Sequence, residues 1–441
     1  MLVLDYLRAM PEKNLNGSQR KKILATLLLT VFIDLLGVTI VIPIVAPLFL
    51  DLKNGLMPLD FTGIAPQNMA IAMKEAIHHR TIIYAFLIAS FPLAQFFGAP
   101  YLGALADKLG RKKVLIVSLI GTLIGYVLFA VGVHYNLIWL LFVSRILDGF
   151  TGGNIAIVFS SIADISTPET KTKNFGLIGA AFGLGFIIGP YIGGKLADPS
   201  LVSWFNYETP YIVSALLCAI NIIMVVYLYI ETLVVKSTKP INLFQGFINL
   251  GKAFSMRQAR ILFTVVFFLT LGFTMFTTFF QVFLIDKFKF TQSSVGDYFA
   301  FIGIFIALTQ GFLSRKLTKI PSATILKITG IGLALAFIIL TLPPANMLWL
   351  LYLASPLIAI NQGLLSPNLN TLVSNSAGPE KQGEIAGINQ SIQSIGQAIP
   401  PIVAAYLVSY GQSFALYGAA ALTFIAWLVF ILFYHKTEEL K

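Results

Sequence analysis

The chain has a single cysteine in 441 residues, and that one, Cys218, sits inside an apolar run. No intrachain disulfide can form and no cysteine cluster can hold a metal. Charge is scarce as well: Asp, Glu, Lys and Arg make up 11% of residues, where soluble domains carry about 25%. Of the four histidines, the adjacent pair His78 and His79 lacks acidic or cysteine partners at metal spacing, and no Gly-Lys-Ser/Thr phosphate loop occurs. These absences exclude thiol redox chemistry and leave a metal site, a cofactor, ATP-driven pumping and enzyme activity without support.

What the chain does have is apolar length. Hydrophobic residues make up 57% of it and mean hydropathy is +0.84. Uncharged apolar runs of about twenty residues or more recur from end to end, each long enough to cross roughly 30 Å of hydrocarbon as a helix. Twelve spans are expected, at 23–50, 80–106, 113–133, 138–164, 174–197, 210–231, 258–286, 292–314, 323–342, 347–374, 384–409 and 412–435. The first run is too long for a signal-peptide core and reads as a retained span.

The formal charge of +11 could indicate nucleic acid, but its distribution decides otherwise. With a cytoplasmic amino terminus, most of the 30 Lys and Arg fall in cytoplasmic segments, among them Lys108, Lys113, Lys252, Arg260 and Lys316. Connections 134–137, 343–347 and 410–412 carry none. The positive-inside rule accounts for the charge without nucleic acid. The expected organisation is a cytoplasmic segment 1–22, a six-helix bundle 23–231, a cytoplasmic linker 232–257, a second bundle 258–435 and a cytoplasmic tail 436–441. Within the outer connection 51–79, Met69 to Ile77 could form a short helix on the membrane surface.

A repeat supports the division into halves. Pro168, Glu169, Gly176, Gly185 and Pro190 match Pro379, Glu380, Gly387, Gly396 and Pro401 at one fixed offset, which lays the fifth span of each half over the other. Duplicated halves place a solute site between two rocking bundles in many transporters.

Four stretches carry chemistry. Between spans two and three stands Gly103-Ala-Leu-Ala-Asp107-Lys-Leu-Gly110-Arg111-Lys112-Lys113. Gly103 permits close helix approach, Gly110 a tight turn, and Asp107 can pair with Arg111. Span four holds Arg145 and Asp148, three residues apart on one face, followed by Gly149, Gly152, Gly153 and Asn154. A charge inside a span costs several kcal/mol unless paired or hydrated, so these are functional candidates; if Asp148 only balances Arg145, the pair is structural. Span one contributes Asp34, where burial and a nearby Arg145 would pull in opposite senses, leaving a carboxylate able to exchange protons near neutral pH. In span five, Gly185, Gly189, Pro190, Gly193 and Gly194 form by themselves a helix-packing face.

Together these stretches resemble the major facilitator superfamily, and within it the drug:proton antiporters. The loop at 103–113 is similar to the family's signature gate loop. Arg145 with the glycines after it is similar to the span-four pattern tied to proton coupling, with Asp148 where Gln is usual. Asp34-Leu-Leu-Gly37 resembles the acidic span-one motif, and the span-five glycines resemble the antiporter motif. Ile162-Ala-Asp164-Ile and Phe175-Gly176 are similar to tetracycline efflux pumps, but Ile306 and Ile331 stand where those pumps carry His and Asp, which argues against tetracycline.

The second half is poor in embedded charge and rich in amides. Asn154, Gln281, Asn361, Gln362, Asn389 and Gln393 are the candidates for lining a solute cavity, although individual amides also serve to tie helices together. The expectation is a monomeric major facilitator fold in a bacterial cytoplasmic membrane, both termini cytoplasmic, exchanging a small amphipathic solute for protons. A proton-coupled nutrient importer, a metabolite or siderophore exporter and a non-transporting membrane protein are the alternatives.

Overall fold

The computed structural model describes residues 16–50, 55–56, 66–166, 168–238, 240–256, 259–317, 319–376 and 382–434. Helices dominate because hydrocarbon offers backbone groups no water, so each span must satisfy its own N–H and C=O groups. In chain order these are α1 Gly17–Ile40, α2 Ile42–Leu50, α3 Pro66–Leu109, α4 Arg111–His134, α5 Ile138–Thr151, α6 Asn154–Ile165, α7 Pro168–Leu196 and α8 Thr209–Leu228. After a connecting helix α9 Gln245–Ser255 come α10 Arg260–Phe288, α11 Gln292–Leu308, α12 Ser314–Lys316, α13 Ser322–Ile339, α14 Leu348–Asn375, α15 Gln382–Val408 and α16 Ser413–Phe433.

Among the described residues eleven stretches are long and apolar enough to cross a bilayer; α1 and α2 form one of them, as do α5 and α6. The glycine-rich α7, 29 residues long, is the twelfth span. The first span opens on a capping box, with Asn16 accepting from the Gln19 amide and Gln19 from that of Asn16. It breaks after Ile40, where Pro43 has no N–H to continue the ladder. In the eighth span a five-residue π-helical segment, Thr309–Leu313, links α11 to α12. Large apolar side chains such as Val117, Trp139, Leu216, Tyr227, Leu353 and Phe433 point outward, as a lipid-facing surface requires.

Residues 69–77 do not form a separate surface helix. They continue without interruption into the second span as part of the 44-residue α3. Nothing between residues 66 and 91 breaks the ladder, since Pro92 is the first interior proline after Pro66.

The spans form two six-helix bundles related by pseudosymmetry. Span five (α7) packs on α11 of the other bundle, and span eleven (α15) packs on α3 in the mirrored relation. The sequence repeat has a matching contact: a Cβ at Gly185 would lie 2.9 Å from Leu35 of span one, and one at Gly396 would lie 3.1 Å from Thr270 of span seven. Pro379 and Glu380 of the repeat lie outside the described residues.

The end of the molecule bearing residues 107–113 is here termed the basic end. At the far end the two bundles touch. Tyr84 Oη donates to Thr278 O at 2.9 Å, Gln292 Nε2 to Tyr207 Oη at 2.7 Å, and Lys195 pairs with Asp297 at 2.9 Å. Beside that ion pair, a Cβ on Gly194 would sit 2.5 Å from Gln292 O and 3.2 Å from the Gly296 Cα. Gly194→Val should therefore fold, because this side chain would face the other bundle and not its own, yet hold the far end apart. Spin labels at Ser200 and Thr291 should show a longer mean distance than in the parent; an unchanged distance would refute this account of Gly194.

Candidate functional site

The fourth span is interrupted in mid-membrane at Gly152–Gly153, where α5 ends and α6 begins. Asn154 is the first residue of α6, buried, and its Nδ2 donates to Asp34 Oδ1 on α1 at 3.0 Å. Asp34 is half-buried and lies seventeen residues beyond Gly17, the start of its span. Asn154 Oδ1 is buried without a hydrogen-bond partner.

One to two turns before the break, Arg145 Nη1 pairs with Asp148 Oδ2 at 3.2 Å, and both residues are buried. The guanidinium lies over Phe129 at 4.9 Å and Tyr211 at 5.9 Å from the ring centroids. Those rings stack on each other at 3.9 Å. Arg145 also donates to Ser144 Oγ at 3.4 Å, and Ser144 donates to Gly125 O at 2.8 Å. A desolvated Arg between an acid and two aromatic faces is thereby held in place.

The structure does not pair Arg145 with Asp34. Arg145 is occupied by Asp148, three residues on along the same helix, and Asp34 is held by Asn154. The break between α5 and α6 is the physical reason, since it separates the face carrying Arg145 from the residue that meets span one.

The loop at the basic end is fastened within its own bundle. Arg111 Nε lies 2.8 Å from Asp164 Oδ2 and Nη2 lies 3.4 Å from Asp107. Gly110 turns the chain with φ +114°, a conformation that favours glycine. Glu231, just past α8, accepts from the backbone N–H groups of Arg111 and Lys112, both at 3.1 Å, at the N-terminus of α4 where a carboxylate is favoured. Lys112 Nζ donates to Val226 O at 2.8 Å. The close helix approach expected at Gly103 is absent: no heavy atom lies within 4 Å of a Cβ built there. The partners named above belong to the first bundle and its connection, and among the described residues none of the second bundle lies within 4 Å of a Cβ at Gly103.

The span-five glycines face two ways. A Cβ at Gly189 would stand 1.9 Å from Thr39 Oγ1, and one at Gly193 would stand 1.8 Å from Ile40 O, so with Gly185 these positions press α7 onto α1. Thr39 Oγ1 further donates to Gly185 O at 2.9 Å. Gly194 instead faces the second bundle, and in the same seam a Cβ at Gly296 would lie 2.5 Å from Pro190 O.

The amides of the second half are dispersed. Gln281 is buried at the far-end seam and donates to Tyr84 Oη at 3.0 Å. Asn361 donates to Leu357 O of its own helix at 2.7 Å and abuts Gly332 of α13. Gln362, Asn389 and Gln393 are half-buried. Sequence reasoning missed Glu231, Gln95 and the Lys195–Asp297 pair. An acidic residue at a span edge was the available signal for Glu231; nothing in the spacing pointed to the others.

The sequence model of the Major Facilitator Superfamily matches residues 27–401. The chain is 29% identical to the class C tetracycline resistance protein of Escherichia coli, over 85% of this chain and 91% of that protein. It is also 29% identical to the quinolone resistance protein NorA of Staphylococcus aureus, over 80% of this chain and 88% of that one. In three dimensions it resembles the crystal structure of the human organic anion transporter MFSD10, with a TM-score of 0.70 and 20% identity, covering 93% of this chain and 99% of the other.

Proposed function

The chain belongs to the major facilitator superfamily, and from that premise we propose that this multi-pass membrane transporter exports a small amphipathic solute in exchange for protons by alternating access. Transporters of this kind perform no covalent chemistry. Proton coupling rests on one observation above the others: a half-buried carboxylate, Asp34, lies in mid-span, hydrogen-bonded to the residue that restarts a broken helix. A carboxylate there is expensive unless it is used, and its position beside a helix break lets its charge state act on backbone geometry.

In this reading the basic end faces the cytoplasm of a bacterial cell, with both termini on that side, in keeping with the positive-inside bias. The far-end contacts, Lys195–Asp297 among them, close the outer face, so solute enters from the cytoplasm. The loop at 103–113 acts as the gate, and Arg145 with Asp148 sets the electrostatic surroundings of Asp34. Gln362, Asn389 and Gln393 supply donors and acceptors for the uncharged part of the solute. Export accords with the resistance proteins among the relatives and with the span-five glycines. Solute and proton need only favour the two arrangements differently by a few kcal/mol for the gradient to drive the cycle.

The test is exchange in proteoliposomes containing the purified chain, with pH gradients imposed in both directions and a panel of amphipathic solutes. Solute should move against its gradient only from the alkaline compartment into the acidic one. Accumulation in the opposite sense would replace export by import, and absence of any pH-dependent flux across the panel would remove the transport reading.

A further inference from the structure

The break in span four leaves a carbonyl, that of Gly152, open to an outside donor. Gln95 of α3 fills that role, with Nε2 donating to Gly152 O at 3.1 Å. The other end of the same amide accepts from Ser394 Oγ of α15, in the opposite bundle, at 3.5 Å. Gln95 and Ser394 are both buried. An amide has one donor end and one acceptor end, so turning it over would set Oε1 against the Gly152 carbonyl and lose that bond, while Ser394 Oγ could accept from Nε2 instead. Gln95 therefore joins the broken helix to the second bundle in one orientation.

On the other flank of the break stands Asn154, bonded to Asp34. An ionised carboxylate only accepts, and Asn154 Nδ2 suits it. A protonated one also donates, and Asn154 Oδ1, buried and unpartnered, is the nearby acceptor such a proton requires. Satisfying it means reorienting Asn154, which begins α6 and whose own N–H lies among the unpaired groups of a helix start. Gly152 and Gly153 beside it tolerate the change of backbone angle. The seam with α3 is tight on both sides of the break. A Cβ at Gly149 would lie 2.2 Å from Phe91 O, and one at Gly153 would lie 2.6 Å from the Ala99 Cα. A shift at the break is thus felt by the stretch of α3 that carries Gln95.

We propose that Gln95 is a positioning residue that couples the protonation of Asp34 to the separation of the two bundles, through the Gly152 carbonyl on one side and Ser394 on the other. This rests on the reading of Asp34 as the proton site. The other charged and titratable groups around Asp34 are Asp148 and Arg145 on α5, Tyr126 on α4 and Cys218 on α8. Among the described residues none of them is bonded to the break through a side chain of α3.

The test uses the full chain in lipid nanodiscs with Cys218→Ser and spin labels at Lys113 and Lys319, exposed residues of the two bundles at the basic end. The parent should show a distance distribution that shifts with pH. Gln95→Leu should reduce the amplitude of that shift at least fivefold and flatten the pH profile of solute exchange. Ser394→Ala, which removes one hydroxyl and leaves the Gln95–Gly152 bond, should do the same in lesser degree. The double variant should match Gln95→Leu rather than add to it, as residues acting in one path do. A Gln95→Leu protein with the parental pH shift overturns the inference. If that variant does not fold, the parental response in a folded Ser394→Ala protein overturns it equally. Asp34→Asn separates the two readings: a pH shift that survives it removes the proton site, while a shift lost in Asp34→Asn but kept in Gln95→Leu removes only the role of Gln95.

Discussion

Asp34→Asn should lower gradient-driven solute movement to the level of protein-free vesicles while leaving the fold intact. The asparagine has the same shape, and its Oδ1 can still accept from Asn154 Nδ2 as the carboxylate does at 3.0 Å. Removing a charge from mid-span takes away a desolvation cost, so no loss of stability is expected. What is lost is the ability to bind and release a proton. Solute-for-solute exchange without a gradient should continue, because alternation between the two arrangements does not itself need the proton. The measurement is a pair of assays on one preparation, pH-driven accumulation and equilibrium counterflow. Full accumulation in the variant would take the coupling role away from Asp34.

The second large effect is expected at Arg145. Arg145→Leu leaves Asp148, which is 1% exposed, without its partner at 3.2 Å. Breaking a buried pair by removing one member costs about 3–5 kcal/mol, whereas replacing both members by apolar residues is often neutral or stabilising. The single variant should therefore show a strongly lowered thermal midpoint and poor yield, and Arg145→Leu with Asp148→Leu should recover both. Transport separates the two roles the pair could have. A structural pair predicts that the double variant transports as the parent does; a pair that sets the field around Asp34 predicts a folded protein without pH-driven flux. The second outcome is the one expected here, since α5 carries the pair to within two turns of the break where Asp34 is bound.

Some residues were legible from their type alone. Asp34, Arg145 and Asp148 were visible because a membrane span tolerates few charges, and the Arg145–Asp148 contact follows from a spacing of three within one helix. Gly185 and Gly189 were visible as close-approach positions, although which helix they approach was not. That Asp34 meets Asn154 while Arg145 stays with Asp148 was not legible for span one, because spacing along one helix carries no information about the rotation of a neighbouring one. The surface helix expected near residue 70 failed for a local reason: polar residues there lowered the apparent hydropathy of a helix whose backbone never breaks. Gln95 was invisible because a lone amide in a span is common, and its importance lies in two partners 57 and 299 residues away.

By itself the sequence determined that this protein crosses the membrane in two sets of six helices, because in hydrocarbon each span must satisfy its own backbone within a run of some twenty residues, a condition that is local and so written locally. It also determined which charges were out of place there. The tertiary structure alone decided what those charges meet: Asp34 with Asn154, Arg111 with Asp164, Lys195 with Asp297. Such pairings depend on the tilt and rotation of helices far apart in the chain, which are set by how glycine faces such as Gly189 against Thr39 allow the spans to close on one another.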